Sequence, residues 1–295
     1  MLKSSLFRLH FIVFLWGFTA ILGKLISTDA YKLVFFRMLF AALFLYIFQR
    51  FIMKQSLKVS KKILLKLIGI GFLMALHWLL FFYSIKVSNV SIALSCLSLS
   101  TLFAALLEPL VFKRKIDAVE IIIGVVIVAC MLFIFNAEMS YKEGIIAGIG
   151  CALFGTIFSV LNGKIYGQTS STNIIFYEIF GGWAVISMFF LFTGQIFTFN
   201  EISWKDLSLI LLLASVFTAY PMLESINLMK YISPFTLILT VNLEPVYGII
   251  LAFFIFGASE HMTPVFYFAT IIMILSIFAN GYLKAKKKLK TDIEN

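Results

Sequence analysis

Charge is scarce in this chain: Asp, Glu, Lys and Arg make up 13% of its 295 residues, against 62% hydrophobic residues. So few solvated groups suit a chain that meets lipid rather than water. Cysteine is scarce too, and Cys96, Cys130 and Cys151 all fall inside apolar stretches. That placement argues against a disulfide framework and against a metal site built on thiolates. The three histidines, His10, His77 and His261, stand in separate regions without ligand-spaced partners, so neither a metal centre nor a catalytic cluster is indicated. There is no Walker loop, which argues against ATP-driven pumping by this chain alone. No alternating ten-residue strand pattern supports a closed barrel. The chain is therefore expected to be no enzyme and to carry no cofactor.

What is present is ten long apolar runs, each near the roughly 20 residues that a helix needs to cross about 30 Å of hydrocarbon. Their approximate bounds are Phe7 to Ile26, Tyr31 to Met53, Leu64 to Lys86, Asn89 to Phe112, Ala118 to Asn136, Gly144 to Gly163, Asn173 to Thr193, Leu207 to Lys230, Ile232 to Phe256 and Pro264 to Leu283. Backbone groups in lipid are satisfied only inside helices or closed barrels, so the expectation is an all-α integral membrane protein of ten transmembrane helices. The first run follows Lys3 and Arg8 as a signal peptide would, but it is too long for such a segment and has no clear cleavage site; it is read as retained.

The net charge of +10 could suggest nucleic acid, yet the cations sit in the connections between runs. One side of the membrane collects 18 of them and the other five, Lys24, Lys32, Lys86, Lys142 and Lys205. By the positive-inside rule both termini are cytoplasmic and no nucleic-acid partner is implied. The basic tail after Leu283 reads as a topology determinant that touches lipid headgroups.

A faint duplication runs through the chain. Sliding the sequence by 144 residues pairs Leu65 with Leu209, Ala75 with Ala219, Lys86 with Lys230, Phe112 with Phe256 and Asn136 with Asn280. The third and fourth runs then overlie the eighth and ninth. Five crossings per half make the second half run in the opposite sense, giving two inverted five-helix repeats, residues 1–140 and 141–295.

Trp16-Gly17 with Lys24 in the first run, Arg37 early in the second, the small-residue run Ser88 to Thr101, and Leu243-Glu244-Pro245-Val246 in the ninth resemble the EamA-like branch of the drug/metabolite transporter superfamily. The resemblance covers essentially the whole chain. It implies an inner-membrane permease for a small molecule, with amino acids or related metabolites as frequent cargo. The Gly-Glu pair common in that family after the fourth and ninth spans is absent after the fourth, where Phe112-Lys113-Arg114-Lys115 stands. After the ninth it is stretched to Gly257-Ala258-Ser259-Glu260.

Ionisable residues inside a bilayer cost several kcal/mol unless paired or hydrated. Arg37, His77, Glu108, Glu178, Glu224 and Glu244 are therefore the first candidates for a pathway. Depth along the runs makes Glu244 the better partner for Arg37, with Lys24 competing for it. Glu108, Glu178 and Glu224 would find Lys164 and the basic inner loops. Arg37, Glu108, Glu178 and Glu224 are candidates for gating or coupling, although the same charges would also serve as helix-locking pairs. In the fourth run Ser91, Ser95, Ser98, Thr101, Ala105 and Glu108 share one helical face, suited either to close packing or to a hydrated wall. The ninth run repeats this with Thr236, Thr240, Glu244 and Gly248. Pro245 and Pro221 each remove a backbone donor, from the carbonyls of Val241 and Phe217, and interrupted helices point to binding sites in transporters.

Trp16, His77, Trp78, Trp183 and Tyr220 lie near the centres of their runs, away from the interfaces where membrane aromatics usually sit. With Ser95, Ser98, Asn242 and Glu244 they form the expected substrate-binding set: an apolar pocket with a few polar anchors, suited to an amphipathic solute. The expected function is a secondary permease that exports such a metabolite by alternating access. Proton coupling through Glu224 or Glu244 and facilitated diffusion both stay open, as does the oligomeric state. An integral membrane enzyme or a non-transporting receptor is the alternative.

Overall fold

The computed structural model describes residues 2–194, 202–228, 231–232, 240–241 and 243–294, with side chains from Ser5 to Leu283. Twelve helices account for most of them: α1 (Leu2–Leu25), α2 (Ala30–Ile47), α3 (Lys61–Val87), α4 (Val90–Leu97), α5 (Ser100–Phe112), α6 (Ala118–Ala137), α7 (Lys142–Ile165), α8 (Ser171–Phe192), α9 (Trp204–Ala214), α10 (Tyr220–Leu228), α11 (Glu244–Phe256) and α12 (Pro264–Glu294). There is no strand among the described residues. Nine stretches there are long and apolar enough to cross a membrane, with α4 and α5 forming one and α9 and α10 another. The expected ninth crossing runs through residues outside that set, and Lys230, Thr236 and Asn242 lie outside it as well.

Short polar residues set the helix starts. The side chains of Asp29, Ser60, Asn89, Asp117, Ser170 and Ser203 each accept a hydrogen bond from a backbone N–H in the first turn of the helix that follows. Each cap satisfies a donor that lipid could not.

The packing has the symmetry of two exchanged halves. Helix α3 packs on α7 and α8, while α1 and α2 pack on α10 and α9. Helix α1 lies against α11, and α7 against α4 and α5, whereas α6 pairs with its own counterpart α12. The chain tightens at matching places before α5 and before α11. Between α4 and α5 the chain tightens to i→i+3 bonds at Ser98 and Leu99, and Leu243 donates to Thr240 in the same way just before α11. Leu99 and Leu243 are 144 residues apart, the offset of the sequence repeat.

The prolines act differently from the expectation of mid-helix breaks. Pro245 occupies the first turn of α11, where its missing N–H is one that the helix could not use. Pro221 follows a π turn, Ser215–Ala219, which absorbs the disruption before α10 begins.

One crossing is made backbone to backbone. A Cβ on Gly71 of α3 would sit 2.1 Å from the Glu178 carbonyl oxygen of α8, and one on Gly182 of α8 would sit 2.4 Å from the Gly71 carbonyl oxygen. Only glycine at both positions lets these helices approach so closely.

Candidate functional site

Arg37 lies in the second turn of α2, beyond the Asp29 cap and among the buried residues of the largest apolar cluster. The residue is 2% exposed. It lies over Trp78, 3.9 Å from the ring centroid, and within 5.3 Å of Phe82, which follows Trp78 by one turn of α3. Arg37 Nε donates to Thr218 Oγ1 at 2.9 Å, and that hydroxyl donates to the Leu213 carbonyl at 2.7 Å. The π turn is what makes the second bond possible, because it brings Thr218 over the carbonyl five residues earlier. Arg37 Nη1 is buried and has no hydrogen-bond partner among the described residues. A donor left unmatched in such a place costs about 1–3 kcal/mol or more, so the site holds an unfilled polar demand.

The expected direct pairing of Arg37 with Glu244 is not made. The two charges interact across the interior, but no ion pair joins them among the described residues. Glu244, on the first turn of α11, stays partly accessible. Lys24 does not compete for it. Lys24 pairs at 2.7 Å with Glu260, which also accepts from the Val90 and Ser91 N–H groups and from Ser91 Oγ. Glu260 is 1% exposed and ties the far end of α1 to the start of α4.

His77, one residue before Trp78, turns its Nδ1 to the Cys151 carbonyl at 2.8 Å, so that nitrogen carries the proton and Nε2 is left as an acceptor. Gly155 leaves the space for the ring, since a Cβ there would meet Nδ1 at 2.7 Å. Ser95 and Ser98 are buried, and neither Ser95 Oγ nor Thr101 Oγ1 has a partner. Trp183 packs against Phe35 and Phe180 with its Nε1 buried and unpartnered. Trp78, Trp183 and the buried residues of α2 thus belong to one cluster. Trp16 does not join it: its ring packs with Leu9, Ile12, Val13 and Leu228 nearer the start of α1. Tyr220 is 46% exposed. Asn242 lies outside the described residues.

The remaining carboxylates are anchored. Glu224 forms an ion pair with Arg8. Glu108 and Glu120 share Arg114, at 3.0 and 2.9 Å. Burial acts to lower the pKa of Arg114, but the hydrogen bonds and charges of Glu120 and Glu108 outweigh it and hold the guanidinium above its ordinary value. Glu178 is fully buried and accepts from Asn162 Nδ2 at 3.1 Å.

The sequence reading missed Thr218, Asn162, Asp206 and Glu260. Asp206 accepts from the N–H and hydroxyl of Ser27, fastening the loop between α1 and α2 to α9. The displaced Gly-Glu pattern before residue 260 was the available signal for Glu260. Asn162 and Thr218 give none, because uncharged polar residues are common in membrane helices and only a partner sets them apart.

No curated protein sequence matches the chain. A solved crystal structure aligns with a TM-score of 0.65 at 12% identity, over 93% of this chain and 96% of the other, a likeness of fold alone. The model of the EamA-like transporter family matches twice, over residues 5–136 and 142–282, and its members are transporters rather than enzymes. With two matches spanning nearly the whole of a multi-pass helical bundle, the chain belongs to the EamA-like transporter family.

Proposed function

We propose that this permease carries a small amphipathic metabolite such as an amino acid, exporting it across the inner membrane by alternating access, with both termini in the cytoplasm. The single observation that supports this most is the unmatched Arg37 Nη1 beside Trp78, with Glu244 within electrostatic reach but not paired. An acidic group of the solute answers the guanidinium, its apolar body lies along Trp78, and a basic group is drawn to Glu244. Ser95, Ser98, His77 and Trp183 supply further walls. The matching tight turns at Leu99 and Leu243 support motion of one half against the other, as in transporters built on inverted repeats. Orientation rests on the excess of cations at the end that holds both termini.

An unbiased comparison of metabolites in medium and cytosol, between deletion and overexpressing strains, identifies the cargo. Flux of that compound into proteoliposomes holding the purified chain then tests the reading. A compound that leaves overexpressing cells faster and crosses the proteoliposome wall is expected. No difference in metabolites and no flux would overturn the proposal.

A further inference from the structure

Glu178 and Asn162 form a pair that no part of the site above uses. The carboxylate is 0% exposed and sealed by the close crossing of α3 on α8 at Gly71 and Gly182. Asn162 Nδ2 donates to Glu178 Oε2, while Glu178 Oε1 and Asn162 Oδ1 are both buried and, among the described residues, both without a partner. Two acceptor oxygens, on two groups already joined by one hydrogen bond, are left over together. Neither can donate to the other as an ionised acid and an amide. One added proton turns Oε1 from an acceptor into a donor, and a neutral acid beside an amide is able to close a ring of two hydrogen bonds where an ionised one is not.

No cation does this work instead. The titratable groups on the helices packed against α8 are Tyr31, Lys32, Arg37 and Tyr46 on α2, Lys61, Lys62, Lys66, His77, Tyr83 and Lys86 on α3, and Tyr220 and Glu224 on α10, with Lys142, Glu143, Cys151 and Lys164 on α7, the helix that carries Asn162. Among the described residues none forms an ion pair with Glu178. Arg37 turns to Trp78 and Thr218 and feels the charge of Glu244 rather than that of Glu178, and Glu224 pairs with Arg8.

We infer that the Glu178–Asn162 pair is the proton-binding site that couples transport to a proton gradient, separate from the solute site at Arg37 and Glu244. The coupling role rests on the permease reading; the proton site does not. Each cycle adds one proton to the carboxylate and removes it again, with no other bond made or broken. Protonation matches the buried oxygens and favours the tight α3–α8 crossing. Loss of the proton leaves a bare charge that favours opening of that crossing to water.

Two measurements on the full chain decide the matter. Infrared spectra of the detergent-solubilised protein, titrated with acid and base, report the C=O stretch of a buried carboxylic acid without any solute. Wild type is expected to show a band that Glu178→Gln removes, that Asn162→Ala shifts, and that Glu244→Gln leaves in place. A band unchanged in Glu178→Gln, or one displaced by sodium chloride but not by choline chloride, would overturn the proton site, the second result by assigning it to a metal cation. Glu178→Gln can keep the ring through its amide, so it is expected to fold and to exchange the identified metabolite. It should lose the response of flux to an imposed pH gradient, and a retained wild-type response would overturn the coupling role. Absence of all flux in wild type would instead count against the permease reading alone.

Discussion

Replacing Gly71 by Ala adds a single methyl group, and the structure says where it must go. Its nearest neighbours are the Glu178 carbonyl oxygen at 2.1 Å, the Glu178 carbonyl carbon at 2.8 Å and the Gly182 nitrogen at 2.9 Å, whereas ordinary contact begins at 3.4 Å. All three are backbone atoms in the middle of α8, so no side chain can swing aside. The helices must part by about 1 Å, loosening the packed surface on either side of the crossing. Overpacking of this kind costs about 1–3 kcal/mol, partly offset by up to about 1 kcal/mol of better helix propensity. Gly69, one half-turn away in α3, is the built-in control, because a Cβ there meets nothing within 4 Å. Gly69→Ala should leave the melting temperature unchanged or raise it. Gly71→Ala should lower it by several degrees, on the scale of about 2–4 °C per kcal/mol for chains somewhat smaller than this one. Thermal unfolding of the two variants in the same detergent, followed by size-exclusion fluorescence, makes the comparison. Equal melting temperatures, or a Gly71→Ala protein more stable than Gly69→Ala, would refute the backbone-to-backbone crossing.

Other consequences are as direct. Glu260→Gln leaves Lys24 without its anion, and should cost about 3 kcal/mol, as loss of one partner of a buried pair does; in a thermal cycle with Lys24→Met the two losses should not add, and additive losses would show that the pair is not coupled. Arg37→Lys keeps the charge but gives up the flat face on Trp78 and the fixed Nε donor, so flux should fall about tenfold or more at normal folded yield, and wild-type flux would remove the stacking from the account. Single Cys probes in a background lacking native cysteine should be labelled from outside at Ser140 and Asn200 and protected at Ser60 in intact cells; outside labelling at Ser60 would invert the topology.

Architecture was legible because lipid imposes it: apolar length follows from the bilayer and survives in sequence whatever the packing. The repeat was faint yet readable, since Leu99 and Leu243, where the equivalent crossings tighten, keep the offset that matched Leu65 with Leu209. Partnerships were not legible. Arg37 was found by its rarity, but Thr218 reaches it only through a π turn that no residue pattern announced. Lys24 found Glu260 rather than Glu244 because the turn at Gly257–Glu260 brings that acid back over the start of α4, a matter of loop geometry. Trp16 and Trp78 looked alike as central indoles, and only the faces of α1 and α3 separate them into different clusters.

The central claim is that cargo meets the unmatched guanidinium of Arg37. It is tested most directly by flux of the identified metabolite into proteoliposomes bearing wild type, Arg37→Gln, Glu244→Gln or Phe254→Ala, the last a ring 79% exposed on the surface of the bundle. The account predicts that Arg37→Gln and Glu244→Gln both lose most of the flux while remaining folded and monodisperse, and that Phe254→Ala matches wild type. Normal flux through Arg37→Gln would contradict it and place the site elsewhere in the bundle.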